Sequence, residues 1–234
     1  MRKLTALSLA AVAGVATMSP AFAADLTPYP PVYVPDLPPV DYGLGGSFYL
    51  RGSIGGDIWT AVDGQYCACV ATFTAPGYGL DGGVGLGYET GDGLRADVTL
   101  DYLHINGLTA GTGNTVNLRS GLLMANAYYD FMLDGGASVG GGWGAYAGVG
   151  IGAAKNYSEV MTAGGAQLAW GTSLEAAGAV MAGVTYDMGN MVADVGYRGI
   201  YMNKVMSQPA NIANAYVINN NWINEIRGTL RYRF

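Results

Sequence analysis

The sequence predicts an all-β fold: an eight-stranded antiparallel up-and-down transmembrane β-barrel, with short turns at one end and four long loops at the other. Three observations lead there. The 234-residue chain is 50% apolar but only 12% charged, about half the charge of an ordinary soluble domain. No apolar run of about 18 residues lies beyond residue 23, so no helix of the mature chain can span a bilayer. From Ser47 onward, apolar residues recur at every second position in eight stretches, and the connections between them alternate between short and long. A barrel reconciles these facts, because its lipid-facing residues occupy alternate positions and never form a long run.

Residues 1–23 read as a secretory signal peptide. Arg2 and Lys3 form the positive start, an apolar stretch follows, and Ala21-Phe22-Ala23 is a small-residue cleavage site. Cleavage between Ala23 and Ala24 makes the mature chain two charges more acidic than the net −6 of the full sequence. That balance makes the chain a poor partner for nucleic-acid phosphates. Residues 24–45 are a proline-rich linker that favours extended polyproline II and cannot build a sheet. The only later prolines, Pro76 and Pro209, fall in predicted loops, as a continuous sheet from 46 to 234 requires.

The first strand sets Phe48, Leu50, Ile54 and Ile58 against Tyr49, Arg51, Ser53 and Asp57. In 79–88, Leu80, Val84, Leu86 and Tyr88 oppose Asp81 and three glycines. In 94–104, Leu94, Val98, Leu100 and Tyr102 oppose Arg95, Asp97, Thr99 and Asp101. In 118–132, Leu123, Ala125, Ala127, Tyr129 and Phe131 oppose Ser120, Asn126, Tyr128 and Asp130. In 142–153, Trp143, Val149 and Ile151 oppose Tyr146 and alternating glycines. In 172–187, Val180, Val184 and Tyr186 oppose Met181, Thr185 and Asp187. In 191–201, Val195, Tyr197 and Tyr201 oppose Asp194, Gly196 and Arg198. In 221–234, Trp222, Ile226, Leu230, Tyr232 and Phe234 oppose Glu225, Arg227, Thr229, Arg231 and Arg233. The long connections are 60–78, 105–117, 154–171 and 202–220. Short turns on one side and long loops on the other describe an outer-membrane barrel with both termini in the periplasm.

Alternation does not say which face is inside, and a soluble lipocalin-like barrel has the same period. Two features place the apolar face outward. Glycines share one parity with the charges, as the tapering interior of a small barrel requires. Aromatics on the apolar parity gather at strand ends: Phe48, Tyr88, Phe131, Trp143, Tyr186, Tyr232 and Phe234 at one end, and Tyr102, Trp170, Tyr201 and Trp222 at the other. Two such belts match two membrane interfaces. The expected interior charge network then comprises Arg51, Arg95, Arg198, Arg227, Arg231 and Arg233 with Asp57, Asp81, Asp97, Asp101, Asp130, Asp194 and Glu225. Buried charges persist when paired and hydrogen-bonded, so the expectation is a continuous Arg–carboxylate–Tyr network that plugs the lumen.

Other motifs carry less. Cys67 and Cys69 in the first loop are candidates for a disulfide, within the loop or to another chain, and they lack the further ligands a metal site needs. His104 is the one histidine of the chain. Strand parity puts it on the face opposite Asp101, so a catalytic constellation is not expected, and neither is a cofactor.

With the strand array in view, the sequence resembles the small outer-membrane β-barrel proteins of alphaproteobacteria, the opacity-type "porin family" (Omp25/Omp31-like). The resemblance is carried by Asn126-Ala127-Tyr128-Tyr129-Asp130-Phe131, the glycine-alternating 146–152, Val184-Thr185-Tyr186-Asp187, Asp194-Val195-Gly196-Tyr197-Arg198 and the terminal Arg231-Tyr232-Arg233-Phe234. It covers about 46–234, while the proline-rich linker and Cys67-Ala68-Cys69 depart from the family pattern. It implies a Gram-negative outer-membrane location, in contact with lipid and lipopolysaccharide. It also implies that Tyr232 and Phe234 are read by the barrel-assembly machinery and that Ala24 is a candidate for attachment to peptidoglycan. The function expected is non-enzymatic, in envelope integrity and surface display. The alternative is a narrow channel for ions or small solutes, and the third choice a lipid-modifying barrel enzyme.

Overall fold

A computed structural model describes residues 46–66, 69–133, 142–207 and 216–234. Nine strands follow one another: β1 (Ser47–Tyr66), β2 (Cys69–Ala75), β3 (Gly77–Glu89), β4 (Leu94–Ala110), β5 (Thr115–Met132), β6 (Gly142–Met161), β7 (Gln167–Asp187), β8 (Met191–Met206) and β9 (Tyr216–Arg233). Each long strand pairs antiparallel with its successor, and β9 closes on β1 from Tyr49↔Arg233 to Tyr66↔Tyr216. The result is an eight-stranded up-and-down barrel, and β2 is a ninth strand that folds back on the end of β1 and touches β4. Closure removes both sheet edges, so every barrel strand finds hydrogen-bond partners on both sides.

At one end the two described turns are tight. Gly91 and Gly93 between β3 and β4, and Gly189 between β7 and β8, have positive φ of 85°, 99° and 89°, backbone that costs other residues strain. In the first of these turns the Thr90 hydroxyl donates to the Asp92 carboxylate and holds its pKa below the usual carboxylate range. Pro76 breaks the chain between β2 and β3, where the sequence places a loop.

The other end differs from expectation. The long connections are largely continued strand. β4 and β5 run on to a turn at Gly111–Asn114, and β6 and β7 to one at Thr162–Ala166. Backbone groups beyond the apolar band still need partners, and continuing the ladder supplies them. The predicted cleavage at Ala23 and Ala24, the linker and Cys67 lie outside the described residues.

Below the belt of Tyr102, Tyr201 and Trp222, the outward face is apolar and the inward face polar. Above it the strands continue, with a slip of parity in β4, β8 and β9, and the chemistry inverts. Leu103, Ile105, Leu118, Ala154, Met202 and Ile218 point inward and are buried, while His104, Arg119, Lys155, Asn203 and Lys204 point outward and are exposed. The inward set joins Trp59, Leu122, Met124, Ile200 and Ile223 in one apolar core at the loop end. An apolar interior beneath a polar outer surface is the arrangement of a soluble barrel.

Candidate functional site

The lumen of the turn-end half, behind the apolar outer band, is the chemically richest region. Alternating inward positions of β1, β3, β4, β5, β8 and β9 bring the predicted charges together there. The Arg51 guanidinium donates at 2.8 Å both to Asp97 and to the Tyr128 hydroxyl. Tyr49 donates to the same Asp97 at 2.9 Å. Asn126 bridges onward, donating to Asp97 at 2.8 Å and to Thr99 at 3.3 Å, and Thr99 donates to Asp101 at 3.0 Å. Asp101 accepts from Arg198 and from Arg227, each at 2.9 Å. Glu225 holds the same two arginines, at 2.7 Å and 2.9 Å. Arg95 pairs with Asp130 at 2.8 Å and stacks on the Tyr128 ring, 3.8 Å from its centroid.

Nearer the turn end, Arg231 lies 3.6 Å from Asp194 and 3.5 Å from Glu89, and Arg233 pairs with Asp187 at 2.6 Å. Arg198 reaches across the barrel and does not pair with Asp194, four residues away on its own strand. The charges of Glu89 and Asp187 join the set although the sequence reading left them out of it; Asp187 already stood on the inward parity. Asp57 stands apart. It is 2% exposed, and neither carboxylate oxygen has a hydrogen-bond partner.

Glycines make room for these groups. A Cβ on Gly148 would sit 2.4 Å from the Tyr128 ring, and one on Gly87 at 2.4 Å from that of Tyr49. These two glycines thus each face an aromatic ring across a strand pair, while a Cβ on Gly83 would meet Asp101 and one on Gly150 would meet Asn126. The space left among Arg51, Arg95, Tyr128, Tyr146 and Arg227 is too small for a water molecule.

No catalytic set assembles from the candidates named. His104 is exposed on the outer surface, whereas Asp101 and Ser120 are buried inside. Cys69 is exposed on β2. The outer surface carries two rings of aromatic contacts instead. Phe48–Tyr88, Tyr129–Phe131 and Trp143–Tyr186 lie at the turn end, and Tyr201–Trp222 and Tyr157–Trp170 toward the loops. Between them Leu50, Ile54, Leu86, Val98, Leu123, Val149, Ile226 and others are about half exposed or more. From Phe48 to Ile58 a strand advances about 33 Å, and a tilt of about 40° makes that an apolar band about 25 Å tall, the height of the hydrocarbon-facing band of a membrane barrel.

No family model matches the chain. Among solved structures the chain resembles Neisserial surface protein A (NspA), with 21% identity and a TM-score of 0.52 over 81% of this chain and 99% of that one. The likeness is one of fold: an all-β antiparallel up-and-down barrel. Closer in sequence are uncharacterized proteins of Brucella abortus (strain 2308) and Brucella suis biovar 1. Each is 30% identical over 245 residues, a span of 87% of this chain and 83% of the relative. The chain belongs to the family of these Brucella proteins.

Proposed function

We propose that the protein is a non-enzymatic β-barrel of a Gram-negative outer membrane that strengthens the envelope and displays its loop end at the cell surface. One observation carries this reading: a tall apolar outer band bounded by aromatic rings surrounds an interior packed shut by ion pairs and an apolar core. Such a surface is stable in lipid and leaves no route through the wall it forms. The likeness to the opacity-type barrels suggested by the terminal Arg231-Tyr232-Arg233-Phe234 agrees with it. In this reading the tight turns and both termini face the periplasm, and lipid and lipopolysaccharide surround the band. Tyr232 and Phe234 present the last strand to the assembly machinery, and Ala24 is the point offered to peptidoglycan.

Cell fractionation with planar-bilayer recording of the refolded protein tests the proposal. The expected result is recovery in the outer-membrane fraction and no steady ion current. Recovery as a soluble periplasmic protein would overturn the membrane assignment, and a steady current would replace the sealed barrel by a narrow channel.

A further inference from the structure

We infer that the barrel lumen holds a divalent cation, with calcium the ion of best fit, on the carboxylates of Asp57, Asp81 and Glu225. Oxygens of these three buried groups all lie within 4.8 Å of one another. Two oxygens bound to one calcium ion stand at most about 5 Å apart, because Ca–O distances are about 2.3–2.6 Å. Three hard oxygen donors select calcium or magnesium over softer metals.

Two further observations point to a ligand there. Both oxygens of Asp57 and both of Asp81 are buried without a hydrogen-bond donor. A carboxylate 2% exposed, as Asp57 is, and lacking a donor loses its hydration with nothing in return. The local charge also does not close. Arg198 and Arg227 are the guanidiniums of this layer, and Asp57, Asp81, Asp101 and Glu225 are its carboxylates. Asp101 and Glu225 engage both arginines at hydrogen-bond distance, whereas Asp81 is 3.7 Å and 3.8 Å from them. Two positive groups against four negative ones leave the layer short by the charge of one divalent ion. The backbone is shaped for the cluster as well. A Cβ on Gly55 would fall 2.2 Å from Asp81 Oδ1 and 3.0 Å from the Glu225 side chain. Glycine at that position keeps the two acids beside Asp57.

The test uses the full mature chain, refolded in detergent without lipopolysaccharide and stripped with a chelator. Calcium chloride and magnesium chloride are titrated separately by calorimetry, and heat unfolding is followed with and without each. The expected result is one calcium ion per chain, with magnesium weaker. Calcium at a hundredfold its Kd should raise the unfolding midpoint by about 5 °C or more. Asp57→Asn should abolish both the binding and the shift, and Gly55→Ala should weaken binding at least tenfold. If Asp57→Asn does not refold, Asp81→Asn serves in its place. A wild-type chain that binds neither ion at millimolar concentration overturns the site whatever the variants do. Equal binding by wild-type and Asp57→Asn overturns it too, by placing the ion elsewhere.

Discussion

At the scale of the residue, the interior is decided by which charges lose water and which find partners. Arg198 is 1% exposed and answers three carboxylates. Arg198→Ala should destabilise the barrel by about 3–5 kcal/mol, because it strands buried anions. Arg233 is the control. Its side chain is 23% exposed and its partners Asp187 and Glu89 are 20% and 16% exposed, so solvent screens the pairs and Arg233→Ala should cost about 1 kcal/mol or less. Urea unfolding midpoints of the two variants in one detergent check both, and equal shifts would mean a wet lumen. The inward arginines and acids were legible from parity alone, since a side chain's face follows from its place in a period of two. Their pairing was not. Arg198 meets Asp101, 97 residues away in sequence, because closure and strand tilt bring β4 and β8 face to face across the lumen, and no local spacing encodes that.

At the scale of the element, each strand carries two outer surfaces, an apolar one in the band and a polar one beyond it. β9 crosses the apolar band between Trp222 and Tyr232, and Ile226 stands near the middle, 62% exposed on the outer face. Ile226→Lys should cost about 2–4 kcal/mol if that face meets lipid, and Tyr232→Lys about 0–1 kcal/mol at the interface. Folding titrations into lipid vesicles measure the difference. Were the outer face in water, both substitutions would be nearly neutral. Phe234 ends the same strand; its backbone N–H donates to the Phe48 carbonyl at 3.0 Å and so ties the chain end to β1. Deleting Phe234 should lower the yield of heat-modifiable barrel in cells, read as the folded band on unboiled gels. The eight stretches of the apolar band were legible because apolar and polar residues alternate there, least cleanly in 172–187. The strand ends above the belt were not, because Leu103 and Ile105 swap chemistry with His104 and Asn106 while the strand runs on through a bulge at Gly107. A reader following apolar residues on the outer parity sees the pattern stop, and writes a loop where the ladder goes on. β2 was hidden for a related reason: most of its pairing is with the extended end of β1.

At the scale of the whole molecule, the proposed sealed barrel has a lumen closed twice, by different physics. The turn half is closed by charge, from Arg233 up to the layer of Arg198 and Arg227. The loop half is closed by the apolar core around Trp59, whose indole N–H donates to Asn221 at 3.1 Å. The two seals stand in series along one axis, so opening either alone leaves the other. Removing a guanidinium admits water to the lower half but not past Leu103, Ile105, Leu118 and Ile223, which are 0–1% exposed. Removing the indole opens the upper half onto an intact layer of ion pairs. In planar bilayers, wild-type protein, Arg198→Ala and Trp59→Ala should therefore all be silent. The double variant Arg198→Ala with Trp59→Ala should pass small, steady currents, provided it refolds to the heat-modifiable form. Current through the Arg198→Ala single variant would show that the apolar core does not seal, and current through wild-type protein would show that neither layer does.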